Sequence, residues 1–444
     1  MGDLQRSIEA VWRIESAKLI AYLARMVQDV GLAEDLAQDA LLIALEKWPE
    51  SGLPHKPGAW LMAIAKNRAI DHLRRQQRLQ QKLEEIGRES SELKACPDLD
   101  TALDRDIDDE MLSLVFTACH PILSLEARVA LTLKVLGGLS TDEIARAYLL
   151  PASTIAQRIV RAKRSLSEAK VPFETPRGEA LEQRLGAVLE VIYLIFNEGY
   201  AASSGEHWMR PLLCEEALRL GRIVAGLMPN ASEVHGLVAL MEIQASRFPA
   251  RCSPTGEPIL LLDQNRARWD QLLIRRGLAA LERAELAAAG VKAVASKHGS
   301  ESGRAMPVAL GPYALQAEIA ACHARARKAS DTDWGKIAAL YDALAQITPS
   351  PVVELNRAVA VAMAYGPAAG LEIVDALLDE PALAQYHLLP SVRGDLLLKL
   401  GRSAEAAAAF TYAAELTHNS REQTLLRARA TEALGANMDA DVSE

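Results

Sequence analysis

Two short helical stretches meeting at a proline, in the segment LSTDEIARAYLLPASTIAQRIVRAKRSLSEAK from Leu139 to Lys170, constrain this chain more than any other feature. Ser140 and Glu143 stand at S-x-x-E spacing, a capping box in which each side chain satisfies a backbone donor at the other's position, so the spacing predicts a helix start. Leu150-Pro151 predicts its end. Proline lacks the amide that an interior turn donates, yet it suits the start of the next helix. In that second helix Ile155, Ile159, Ala162 and Leu166 recur at steps of four, three and four and form one apolar stripe. The remaining surface carries Ser153, Thr154, Gln157, Arg158, Arg161 and Arg164. A narrow apolar stripe backed by arginines and small polar groups suits a helix that packs on a partner while offering bidentate donors to base edges and phosphates. An ordinary surface helix with a solvated basic face has the same pattern, so the stretch alone admits both readings.

The chain is 444 residues long, which predicts two to four units and ample length to bury a core. Half of its residues are apolar and only 5% are aromatic, with alanine and leucine dominant, so an all-α protein is expected. No apolar run approaches the roughly 20 residues that a membrane span needs. The opening MGDLQRSIEA lacks a charged-then-apolar signal pattern, so a cytoplasmic protein with no membrane association is expected. Cys96, Cys119, Cys214, Cys252 and Cys322 are scattered, without C-x-x-C or metal-ligand spacing, and read as reduced thiols. The formal net charge of −9 excludes a protein that coats nucleic acid by electrostatics alone. DNA binding, where present, must be local or licensed by a partner.

In chain order, Ile8, Val11, Trp12, Leu19, Tyr22 and Leu23 predict a first amphipathic helix. Leu32 to Trp48 predicts a second, with Leu36, Ala40 and Ala44 on its apolar stripe and Glu34, Asp35, Gln38, Asp39 and Glu46 on an acidic, amide-bearing face. A Pro/Gly loop precedes a third helix from Gly58, whose first part buries Trp60, Leu61, Ile64 and Ala65. Its second part is basic, with Lys66, Arg68, Arg74, Arg75, Arg78 and Lys82 against the single acid Asp71. From Glu84 to Asp109 ten acids face three bases with little periodicity, which reads as an acidic linker. Two apolar helices then lead through Gly137-Gly138 into the opening motif. Cys119-His120 has no second pair at metal-ligand spacing and reads as structural.

After the Pro-bearing VPFETPRGE, helices continue to the end. Ala180 to Phe196 is strongly apolar and is expected to stop at Asn197-Glu198-Gly199-Tyr200, where Asn and Gly are common helix terminators. Pro/Gly loops are expected around Arg251 to Pro258 and Gly299 to Pro312. Pro390 to Leu416 reads as a helical hairpin, with Gly394 and Leu397 on one helix, Gly401 at the turn, and Ala406, Phe410 and Ala413 on the other. Those small and large residues match tetratricopeptide placement, where small side chains let helices approach. Trp334, Ile337, Ala338 and Tyr341 begin a looser copy, and Leu425 to Leu434 reads as a capping helix. No phosphate loop, metalloprotease helix, nucleophile elbow or acid-base carboxylate pair is present, so no enzyme and no cofactor are expected.

The first 170 residues resemble bacterial sigma factors of the extracytoplasmic function (ECF) group. Asp35 to Ala40 is similar to the D-L-x-Q-[DE]-x core of region 2.2, and Ala59 to Arg75 to the W-L-x-x-I-A-x-N-x-x-x-D-x-x-R-R run of regions 2.3 and 2.4. The helix-turn-helix would then be region 4.2. Ala156 departs from the group, many of whose members carry a lysine or another polar residue there. The runs YLIFNEGYAAS, WDQLLIRRGL, GPYALQAEIAACHA, TDWGKIAALYDAL and SPVVELNRAVAVA extend the resemblance to a subfamily with a long tetratricopeptide-containing C-terminal extension.

This resemblance implies two small helical sigma domains joined by a linker and followed by a large helical domain. Its boundaries are region 2 over 1–82, the acidic linker over 83–107, region 4 over 108–172, a helical extension over 173–310, and tetratricopeptide-like repeats over 311–444. Asp35, Gln38, Asp39 and Leu42 would bind core RNA polymerase. Asn67, Arg68, Asp71, Arg74 and Arg75 would hold the −10 element of promoter DNA, offering amide, carboxylate and guanidinium groups to unpaired bases. Ser153, Thr154, Gln157, Arg158, Arg161 and Arg164 would read the −35 element. The repeats would bind a protein or peptide partner, and the extension itself, rather than a dedicated anti-sigma factor, would govern activity. The rival expectation is a polymerase-independent helix-turn-helix transcription regulator with a peptide-binding repeat domain, which leaves the Asn67 to Arg75 ladder without a role.

Overall fold

The computed structural model describes residues 2–86, 107–148, 150–202, 204–206, 208–296 and 310–441. Among them the chain is all-α, with eighteen α-helices. The one β-ladder among these residues is a two-residue parallel pairing of Ser204–Gly205 (β1) with His418–Asn419 (β2). Most of the expected acidic linker, with Cys96, lies outside the described residues, as does most of the Gly299 to Pro312 loop. The chain forms two compact units, Met1–Leu194 and Ile195–Glu444. None of the helices searched among the described residues is long and apolar enough to cross a membrane.

The first unit opens with α1 (Gly2–Val27), α2 (Val30–Ser51) and α3 (Pro57–Ile86), which pack on one another around Leu19, Ile20, Leu23, Trp48 and Leu61. Asp29 ends the short α1–α2 turn by accepting a hydrogen bond from the Leu32 amide at 2.9 Å, satisfying one orphan donor of α2. Trp48 and Trp60 meet with ring centroids 5.3 Å apart and fix the α2–α3 crossing. Four further helices follow: α4 (Ile107–Ala118), α5 (Leu125–Val135), α6 (Thr141–Tyr148) and α7 (Ala152–Glu168). α7 packs on α5 and α6, while α4 lies against α1. The part of α8 (Glu179–Tyr200) up to Leu194 completes the unit, held by Arg184 donating to the Phe116 carbonyl at 2.7 Å and by the Arg128–Glu190 pair at 3.3 Å.

The sequence places the end of α8 in the run Asn197-Glu198-Gly199-Tyr200, and the helix ends at the last of these residues. Tyr200 stacks on Phe196 one turn earlier, at 5.6 Å between centroids, which favours continuing the helix. Gly199 serves close approach rather than termination, since a Cβ there would lie 2.7 Å from the Cys214 amide nitrogen.

In the second unit α10 (Ser232–Ala245) is buried on nearly all sides by α9 (Pro211–Leu227), α11 (Gln271–Ser296) and α12 (Pro312–Arg325), as its almost continuous apolar sequence requires. Loops are tied by buried arginines. Arg266 donates to the carbonyls of His323 at 2.7 Å and Ala326 at 2.9 Å, and Arg251 lies between the rings of Tyr200 and Trp208. From there consecutive helices pack in series: α13 (Trp334–Ile347), α14 (Pro351–Tyr365), α15 (Pro367–Ala376), α16 (Leu388–Lys399), α17 (Ser403–Leu416) and α18 (Ser420–Asp441). The expected hairpin is α16 and α17, and Phe410 is fully buried at its centre.

Two stability predictions follow from this packing. A Cβ on Gly394 would sit 2.8 Å from the Phe410 ring, so Gly394→Val should lower stability by about 1–3 kcal/mol through overpacking, with partial recovery in combination with Phe410→Leu. Urea unfolding of the four members of that cycle measures it. Burial, then the cations Arg247 and Arg266, push the His323 imidazole down from 6.5 to about 4. The unfolded chain therefore takes up this proton first as pH falls, and stability present above pH 6.5 is lost as pH drops through 4, by about 3 kcal/mol. His323→Phe should flatten that part of the pH profile of the urea midpoint.

Candidate nucleic-acid and polymerase interfaces

On α2, Asp35, Gln38, Asp39 and Leu42 follow i, i+3, i+4, i+7 spacing and share one side of the helix. Asp35 is 70% exposed and Leu42 is 57% exposed, an apolar side chain beside acids on a surface otherwise free to be polar. Asp39 is paired with Arg68, Gln38 donates to Glu34, and Asp35 accepts from Lys163 at 3.2 Å. Glu34 does not belong to the solvated acidic face that its position suggests. It is 2% exposed, and its carboxylate lies against Lys163 and, at 3.6 Å, Lys134. Burial pushes the Lys163 ammonium down, but Glu34 and Asp35 outweigh it and hold the group above the ordinary lysine range.

α3 buries Leu61, Ala65 and Ala69 and turns Asn67, Asp71, Arg74 and Arg75 to solvent. With Arg78 these residues form one polar strip along the helix. Asp71 and Arg74 are 4.0 Å apart and both well exposed, so their pairing is weak and leaves both groups available. Arg68 stands apart from the strip, turned toward Asp39 of α2.

The helix-turn-helix forms as its sequence predicts. The Ser140 amide donates to Glu143 at 2.8 Å and the Glu143 amide to the Ser140 hydroxyl at 3.2 Å, closing the capping box at α6. Nearby Ser140 and Arg13 outweigh partial burial and hold the Glu143 carboxyl below its ordinary value. Pro151 is the N-cap of α7, whose Ile155, Ile159, Ala162 and Leu166 are buried. Ser153, Gln157, Arg161 and Arg164 are exposed, while Thr154 and Arg158 are half-buried. Arg164 pairs with Glu168 at 2.6 Å on the solvent side. Val160, 63% exposed between Gln157 and Arg161, is a member of this surface that sequence reasoning missed. Its signal was a β-branched residue standing off the apolar stripe.

Elsewhere, Cys119 is buried, and burial pushes its thiol up to about 11. No group of His, Cys, Asp and Glu among the described residues has the arrangement of a metal site. Glu198 pairs with Arg210, and Tyr200 packs between Phe196 and Phe248, which accounts for the polar cluster at the end of α8 by packing and pairing.

Three families match the chain in order: Sigma-70 region 2 over residues 13–79, Sigma-70 region 4 over 113–166, and a family of unknown function, DUF6596, over 184–285. The uncharacterized protein R00370 of Rhizobium meliloti is 40% identical over 410 residues, covering 91% of this chain and 90% of that protein. The probable ECF RNA polymerase sigma factor SigI of Mycobacterium tuberculosis is 27% identical over 164 residues, 37% of this chain and 56% of the relative. The RNA polymerase sigma-H factor of Pseudomonas aeruginosa is 28% identical over 160 residues, 35% of this chain and 82% of its own length. No solved structure matches. The long similarity to R00370 and the ordered pair of sigma-70 regions lead to one conclusion: this chain belongs to one family with R00370, and it is a sigma factor of the ECF type.

Proposed function

We propose that the protein binds core RNA polymerase and directs it to a two-part promoter, with its C-terminal helical extension governing when it does so. The observation that carries this reading is the placement of three polar faces on α2, α3 and α7, each backed by a buried apolar stripe on the same helix. Asp35, Gln38, Asp39 and Leu42 meet polymerase. Asn67, Asp71, Arg74 and Arg75 hold the unpaired strand of the −10 element, with Arg68 oriented through Asp39. Ser153, Thr154, Gln157, Arg158, Arg161 and Arg164 address the −35 duplex, where Val160 offers an apolar contact suited to a thymine methyl group. Residues 1–82 and 108–172 act as the two sigma domains, 83–107 as the linker between them, and 173–310 and 311–444 as the regulatory extension. The stacking of α13 to α18, with Gly394 against Phe410, supports tetratricopeptide-like repeats that take a protein or peptide partner. No dedicated anti-sigma factor is required, and the protein performs no chemistry of its own.

Reconstituted transcription with purified core enzyme tests this reading. Promoter-specific transcripts should depend on the chain, and a version ending at Leu194 should retain core binding while losing regulated activity. The absence of promoter-specific transcripts at any ratio of chain to core would sink it. Leu42→Ala should weaken core binding by roughly tenfold, the scale of one partly exposed leucine becoming buried, as measured by titration of labelled core. Arg161→Ala should remove about 1–3 kcal/mol of discrimination at one base position of the −35 element. Arg164→Ala should weaken all sequences alike, as a phosphate contact does, and holoenzyme binding to a panel of −35 variants separates the two.

A further inference from the structure

The end of α10, in the second unit, gathers cations with little acid to balance them. Arg247 stands just past this helix, half-buried, and donates through Nε to the Gln264 side-chain oxygen at 3.2 Å. Among the described residues no carboxylate pairs with it, and its two terminal nitrogens have no hydrogen-bond partner. Its guanidinium carbon lies 5.7 Å from the centre of the Trp269 ring, and that of Arg266 lies 5.1 Å from the same ring. Three neighbours feel the charge of Arg247. Burial lowers the pKa of Arg251 and of Arg266, and Arg247 lowers both further. Burial, Arg247 and Arg266 together keep the His323 imidazole neutral, at about 4. The acid that acts against them is Asp331, exposed and felt by Arg266.

Donors are also left over in the same cluster. Arg266 uses its terminal nitrogens on the carbonyls of His323 and Ala326 and on the Thr332 hydroxyl, yet its Nε is buried without an acceptor. Trp269 Nε1 and His323 Nδ1 are likewise buried and unpartnered, in side chains only 3% and 9% exposed. A buried donor without an acceptor carries its full desolvation cost, so such groups call for a partner. Loop anchoring accounts for the bonded nitrogens of Arg266, but not for the free fork of Arg247 or for these donors.

We propose that this cluster binds a phosphoryl group, carried by free phosphate or by a small phosphate ester, with the fork of Arg247 as its main contact. Arg251 and Arg266 supply the surrounding positive field, and the unpartnered donors of Arg266 and Trp269 stand beside the fork. Three guanidinium charges against one exposed carboxylate leave an excess that a phosphate near two negative charges balances and a carboxylate monoanion does not. The planar fork of arginine suits two oxygens of one phosphate at once. Bound there, the anion ties the end of α10 to the loop carrying Arg266 and to α12, which carries His323.

Titration of the full chain with inorganic phosphate at constant ionic strength tests the site, with acetate as the monoanion and glycerol phosphate as the ester. Phosphate should bind saturably and raise the urea midpoint. Arg247→Gln should weaken binding by at least about tenfold, as loss of a charge-assisted bidentate donor does, while Arg427→Gln at an exposed position of α18 should leave it unchanged. A second measurement needs no variant. Phosphate should slow the labelling of Arg247 by an arginine-selective dicarbonyl reagent several-fold, read by mass spectrometry, and leave Arg427 labelling as it was. A response that chloride reproduces at equal ionic strength, full binding by folded Arg247→Gln, or an unprotected Arg247 would overturn the site. Acetate binding as tight as that of phosphate would overturn the phosphoryl assignment. Competition between phosphate and the ester identifies the source, and either winner carries the group that the site requires.

Discussion

The carboxylate of Glu34 organises the first unit more than any other single group. A carboxylate this deeply buried is tolerated only with partners, and its cations come from α5 and α7, a hundred residues or more along the chain. Because Gln38 donates to it from the next turn of its own helix, Glu34 also sets the side of α2 that remains for Asp35, Asp39 and Leu42. One buried charge therefore fixes both a tertiary contact and the orientation of a candidate binding face. Its counterpart Glu110 of α4, paired with Arg25 of α1 at 2.8 Å, obeys the same constraint. There burial raises the carboxyl group's pKa despite the opposing hydrogen bond and charge of Arg25.

The candidate faces share one construction. Each of α2, α3 and α7 uses an apolar stripe to hold its helix in place and presents a largely polar exposed side, on which Leu42 and Val160 are apolar members. Rigidity comes from the buried stripe and chemistry from the exposed side, so the polar residues can vary without altering the packing. This division accounts for a DNA-binding reading in a chain of net charge −9. α3 carries six Lys or Arg against three acids and α7 four against one, so both helices are locally basic within an acidic chain.

Helices and turns were legible from the sequence wherever the determining interaction is local. The capping box at Ser140 and Glu143, the Pro151 boundary and the Ile155 to Leu166 stripe all act within four residues, and each is realised. The pairing of Gly394 with Phe410 was legible because a repeat pattern places small residues opposite large ones. Glu34 was not, because nothing within its own helix distinguishes it from Asp35. The difference lies in Lys134 and Lys163, which spacing along α2 cannot reveal. The end of α8 was legible only to within the run from Asn197 to Tyr200, for a related reason. Asn197 and Gly199 resemble a terminator locally, but Phe196 and Cys214 give that turn packing which a stop would forfeit.

The second unit places its buried cations differently, and the contrast bears on what the extension can do. Arg251 and Arg266 are held by backbone carbonyls, the Thr332 hydroxyl and aromatic rings, and among the described residues no carboxylate forms a direct ion pair with either. Such bonds tie loops that lack regular secondary structure, replacing the backbone pairing that a helix would supply. Burial pushes both guanidinium groups toward lower pKa, yet arginine's ordinary value is so high that they remain charged. Loops fixed in this way cannot be rearranged without stranding a charge. Exposed aromatic groups lie elsewhere in the unit, such as Tyr365 and Tyr412, whose rings are half or more accessible on α14 and α17. Those aromatic surfaces bury large area with few rotatable bonds, the property that makes tyrosine effective in recognition.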